Sequence, residues 1–195
     1  MFERPVTLPD LLGEVGQQRL LLWDRGEVSY HGVAGPADDW KAESQTRLWQ
    51  YERHYQDEIQ AMAVAVAKGN RSRLVDGSRF LTGFRRSCPF PGGTAWEPYP
   101  TARRILNQAI ALAQAPDLSG DIVPWLPAQL RYLWGRLEHH LLGNHLIADA
   151  AALVAGAASV SAPGIAGIWQ RGALLLEREL DRQGLPDGGY AERTI

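Results

Sequence analysis

An all-α fold is what the sequence predicts, and three observations carry it. From Ser44 onward apolar residues return at three- and four-residue steps, the spacing that lines one helical face. The periodic segments end in Gly or Pro, and modest connections between them favour antiparallel neighbours. Strand-like runs do not alternate with these segments, so nothing supports a parallel sheet.

Residues 1–43 read as an irregular N-terminal extension. Within it, Arg19–Tyr30 (RLLLWDRGEVSY) suggests a short β-hairpin turning at Arg25-Gly26, and the Gly/Pro/Asp-rich stretch from His31 reads as loop. Residues 44–195 form the helical domain. Leu48, Tyr51, Tyr55, Ile59, Met62 and Val66 line one helix that Gly69-Asn70 ends. A weaker helix covers Arg71–Arg86, with Gly77 and Gly83 unfavourable inside it. After the loop SCPFPGGTAWEPYP, Thr101 caps a third helix that reaches Gln114. The fourth runs over Ile122–Leu142 with Pro124 and Pro127 in its first turn. The fifth, His145–Ser159, is rich in alanine, and the sixth is Ile165–Gln183. Three consecutive hairpins of this kind build either a closed bundle or an arc of an α/α toroid, and no strict repeat separates the two.

The composition, 45% hydrophobic and 22% charged, is that of a globular domain. A net charge of −2, with no long run of either sign, offers no electrostatic case for nucleic acid or an anionic membrane as partner. The single Cys88 forms no internal disulfide, and no CxxC spacing exists. No apolar run approaches membrane-spanning length, and the first sixteen residues lack the apolar core of a signal peptide. No P-loop, GxGxxG or GxSxG is present.

The chemistry-bearing residues concentrate at Leu137–Leu153, where Gly143-Asn144-His145 forms a corner between two helices. An amide and an imidazole at a helix N-terminus suit a carboxylate, although plain capping by Asn144 beside a surface His145 serves the same pattern. His139, His140 and His145 do not make a metal-ligand spacing, and no metal or cofactor is expected. Trp96 and Tyr99 stand in a rigid loop where they would stack on sugar rings or plug the helix ends, with Glu97 available to hydroxyls. Arg103 and Arg104 follow within reach of an anion, and His54 and Tyr55 offer a cleft wall. Glu192 and Arg193 lie in a glycine-bearing loop, Asp187–Arg193. Among Glu138, Asp149, Asp187 and Glu192 no spacing singles out the carboxylate pair of a glycoside hydrolase.

Four blocks taken together, RLWQYERHYQDE (47–58), GTAWEPYPTARRILN (93–107), LEHHLLGNHLIADAAALV (137–154) and LPDGGYAERT (185–194), resemble the heparinase II/III-like polysaccharide lyases. The resemblance covers roughly residues 45–195 and implies the N-terminal α/α toroid of that family, here incomplete. It implies an enzyme that cleaves uronate-containing polysaccharide, glycosaminoglycan-like or alginate-like, by β-elimination. Asn144 with His145 matches the position that neutralises the uronate carboxylate as its α-proton is removed. Trp96, Tyr99, His54, Tyr55, Arg103, Glu192 and Arg193 are then the residues expected to bind substrate.

The chain departs from that pattern at its end. The family's block continues to a catalytic Tyr and then a β-sandwich with a catalytic His, whereas this sequence stops at Ile195. The expectation is therefore a toroid portion inactive by itself, partnered by a separate β-sandwich domain or by its own copies through an exposed apolar edge. The rival expectation is a non-catalytic helical module, glycan-binding or structural. A toroid glycoside hydrolase is a third, and it needs two facing carboxylates.

Overall fold

The computed structural model describes residues 8–139 and 144–183, with side chains from Val15 onward. The described chain is mostly helical and carries one two-stranded sheet. Helices α1 (Leu8–Asp24), α2 (Arg47–Tyr55), α3 (Asp57–Ala67), α4 (Arg73–Ser87) and α5 (Pro98–Gln114) precede α6 (Ser119–Ile122), α7 (Leu126–Trp134), α8 (Asn144–Ala158) and α9 (Ile165–Gln183). Strands β1 (Glu27–Tyr30) and β2 (Val33–Pro36) lie between α1 and α2.

The N-terminal part is more regular than its sequence suggests. Leu8–Asp24 is a helix that packs on α3, and Leu20 and Trp23 join the main core. The hairpin exists, but its turn is His31-Gly32, with φ of 53° and 76°, not Arg25-Gly26. Positive φ at both central residues matches the right-handed twist of the strands. Gly26, at φ 75°, instead follows the end of α1 and turns the chain into β1.

The single helix expected from Leu48 to Val66 is broken at Gln56, whose backbone is left-handed (φ 63°, ψ 40°). The break is held by α5. Asn107 Nδ2 donates to the Tyr55 carbonyl (2.7 Å) and to Asp57 Oδ1 (2.6 Å), while Gln108 Nε2 donates to Gln56 Oε1 (2.8 Å). These bonds satisfy groups that a helix end would otherwise leave without partners.

Two further boundaries move. Helix α5 starts at Pro98 after the extended Glu97, not at Thr101; Thr101 is buried within it, its hydroxyl accepting from Arg104. The expected Ile122–Leu142 helix is reduced to α7, which ends at Gly135. Beyond it, the Glu138 N–H bonds Asp149 Oδ2 (3.1 Å) in place of a helical carbonyl, so the chain folds back toward α8.

The packing follows a row in which α1, α3, α5, α8 and α9 each touch the next. Helix α4 packs on α3, and α7 on α5 and α8. Consecutive pairing holds for α3–α4 and α8–α9, whereas α5 has its larger interface with α8 rather than α7. The core between them is apolar, with Ile59, Met62, Ile105, Leu126 and Leu130 fully enclosed. Gly156 lets α8 approach closely, since a Cβ there would stand 2.5 Å from Ile105 Cγ2.

Candidate functional site

Asn144 opens α8 at the surface and His145 follows it. His145 Nδ1 lies 2.8 Å from Glu138 Oε2, with the two side chains 34% and 11% exposed. Glu138 comes from the segment after α7, and its backbone is tied to Asp149, one turn along α8 from His145. Burial first, then the neighbouring Glu138 charge, pushes the Asp149 carboxyl up to about 7, against the bond from the Glu138 N–H. Its Oδ1 has no hydrogen-bond partner. A carboxylate accepting from Nδ1–H fixes the imidazole and leaves Nε2 as the nitrogen available for proton transfer or for a ligand.

The same group extends through aromatic rings. The Tyr99 ring, in the first turn of α5, lies 4.3 Å from that of His145, tilted by 34°. Tyr55, the last residue of α2, meets Tyr99 edge-on at 5.8 Å. The Arg103 guanidinium is 5.5 Å from the centre of the Tyr55 ring. Burial, and then Tyr99 and Glu52, holds the Tyr55 hydroxyl far above its ordinary value, so it stays protonated. Four expected substrate-binding or catalytic residues, Tyr55, Tyr99, Arg103 and His145, therefore sit in one contiguous group, drawn from three distant stretches of chain.

Other expected residues lie elsewhere. Trp96 is 7% exposed, its indole N–H donating to the Cys88 carbonyl (3.1 Å) and its ring packed on Phe90 and Tyr132. That places it in the core and not on a stacking platform. Glu97 is engaged by Arg47 (2.7 Å) and by the Tyr51 hydroxyl. His54 is buried and packs on Phe84. Arg104 is wholly enclosed between Phe84 and Trp96 and bonded to Gln129, so it does not reach an external anion. His140, Gly143, Asp187, Glu192 and Arg193 lie outside the described residues. Among the described residues no group of three or more His, Cys, Asp or Glu side chains gathers as a metal ion would require.

Glu138 as the partner of His145 is what sequence reasoning missed. The two are seven positions apart across a helix break, so helical spacing does not pair them. No protein-family model, no curated protein and no solved structure matches this chain. Among the described residues no helix is long and apolar enough to cross a membrane.

Proposed function

We propose that this chain is the toroid-type part of a polysaccharide lyase and binds the uronate unit of an acidic polysaccharide at the start of α8. The observation that carries the reading is the assembly of Tyr55, Tyr99, Arg103 and His145 beside Asn144. The row of helices from α1 to α9 is compatible with an arc of such a toroid.

In β-elimination a base removes the proton α to the uronate carboxylate, the bond to the departing glycosidic oxygen breaks, and a double bond forms between the two carbons. Negative charge builds on the carboxylate during proton removal. Donors aimed at that group stabilise the transition state more than the ground state. The Asn144 amide and the His145 imidazole take that role, with Arg103 as the nearby cation and Tyr99 as an apolar face for the sugar ring. The base and the acid are not assigned to any of these residues.

Titrating the chain with an oligouronate and with a neutral glucan oligosaccharide of equal length tests this. The oligouronate should bind at least tenfold more tightly, and Asn144→Ala should lower its affinity about tenfold, or about 1.4 kcal/mol. Equal affinity for the two oligosaccharides would remove the basis for the reading.

A further inference from the structure

A cavity of about 480 Å³ opens between the end of α1, the chain leaving β2 and helix α4, and shares no lining residue with the His145 group. Trp23, Trp40 and Phe80 form its aromatic wall, and Arg25, Asp38 and Arg79 stand exposed around it. Its size falls in the roughly 300–1,000 Å³ range of small-molecule sites. We propose that it is a separate binding site that takes a small carboxylate on a flat apolar body, such as an aromatic acid. This inference goes beyond the lyase reading and does not depend on it.

The indole of Trp40 supplies the observation that points to a ligand. Trp40 is 4% exposed, and its N–H, which can only donate, meets no acceptor among the described residues. A buried indole nitrogen ordinarily has one. The Arg53 guanidinium covers one face of the ring at 3.5 Å, and Phe80 and Phe84 meet it edge-on at 4.8 and 5.5 Å. The nitrogen itself stays open to solvent, for it is not one of the unpartnered atoms sealed inside the protein. It lies beside Gly83, a lining residue of the cavity, where a Cβ would stand 2.8 Å from Nε1. A glycine inside a helix is unfavourable, and at this turn of α4 it leaves the N–H uncovered.

The charges on the wall select the acceptor. Arg25 and Arg79 form no ion pair among the described residues. Of the two acids that line the cavity, Asp24 is held by both Arg73 terminal nitrogens, at 2.5 and 2.7 Å, which leaves Asp38. Two free guanidiniums against one free carboxylate leave positive charge in excess, and that small excess suits a monoanion better than a dianion. A guanidinium can pair a carboxylate through two parallel N–H bonds, and the indole N–H is a further donor to the same group. Trp23 is partly buried and braced edge-on by Phe80 at 5.5 Å, so its ring presents a fixed apolar surface to the body of the ligand.

Tryptophan side-chain NMR on the full chain, titrated with benzoate, benzyl alcohol and acetate, tests the assignment. The Trp40 indole N–H signal, assigned through bonds to its own backbone, should move with benzoate. Benzoate should bind at least tenfold more tightly than benzyl alcohol, which lacks the charge, or acetate, which lacks the ring. Arg79→Gln, at the exposed edge, should weaken benzoate at least threefold, and Gly83→Ala, which covers the indole nitrogen, at least tenfold. His145→Gln should leave the titration unchanged, which separates this cavity from the α8 group. A Trp40 indole signal that stays in place with benzoate would overturn the proposal, as would acetate or benzyl alcohol binding as tightly as benzoate.

Discussion

Two polar regions of the molecule each pack charged or titratable groups against aromatic rings, and they resolve their hydrogen bonds in opposite ways. Along α5, Arg104 donates to Gln129 Oε1 (2.7 Å), the Ala95 carbonyl (2.8 Å) and Thr101 Oγ1 (3.3 Å). Gln129 then donates to Gln108, and Gln108 to Gln56. At the head of α8, by contrast, Asp149 Oδ1 and Arg103 Nε are sealed without partners, and His145 stays one-third exposed. A buried network in which only Gln56 Nε2 goes unmet fixes a fold, while a part-exposed imidazole is accessible to a ligand. The first region holds the α2–α3 break in place. The second is where the proposed uronate contact lies.

The sharpest way to break this comparison is to remove the cation from the satisfied network. Arg104→Leu strands three buried acceptors at once, and unsatisfied buried groups cost roughly 1–3 kcal/mol each with imperfect additivity. Loss of about 3–5 kcal/mol in chemical denaturation is expected, with the α2–α3 break loosened. A variant as stable as the parent would show that the network contributes little, and the contrast between the regions would collapse.

Asp149 gives a smaller effect with a distinctive pH signature. Its carboxyl titrates near 7 in the folded chain against an ordinary 3.8. Between about pH 4 and 7 the native state therefore holds a proton that the unfolded chain has released, and stability falls as pH rises through that window. The contribution is complete below pH 4 and gone above pH 7. Asp149→Asn keeps an acceptor for the Glu138 N–H but cannot titrate. It should gain a few kcal/mol over the parent at pH 8 and nothing at pH 4, read from melting temperature against pH. Parallel pH curves for the two proteins would mean that Asp149 is ionised and solvated.

How much of this was legible in the sequence depended on whether the cause was local. Helix α9 was readable to its ends, because the repeat of Ile168, Leu175 and Leu176 and its boundaries are all local. The break at Gln56 was not, since no Gly or Pro marks it and its stabilising donors, Asn107 and Gln108, lie about fifty residues away. Helix α1 has a weak amphipathic pattern; its docking combines Leu20 and Trp23 in the core with Arg19, which meets Asp57 and Glu58 in the first turn of α3. In the site, Asn144 and His145 stood out by residue type alone. Tyr55, Tyr99 and Arg103 are each legible as candidates, but only the packing of α2 on α5 and of α5 on α8 brings them together. Trp96 stays ambiguous in the sequence because an aromatic in a proline-rich loop reads the same whether it faces solvent or, as here, the core.

The smallest expected effect on stability tests the other side of the comparison. His145→Gln keeps an N–H donor for Glu138 and gives up the ring that lies on Tyr99 together with its second nitrogen. Because the side chain is one-third exposed at the first turn of α8, stability should change by less than about 1 kcal/mol. Oligouronate affinity should nevertheless fall about tenfold, since the lost nitrogen is the one left for the ligand. A change in stability equal to the loss of affinity would identify His145 as one more structural contact, and the α8 group would then differ from the α5 network in degree only.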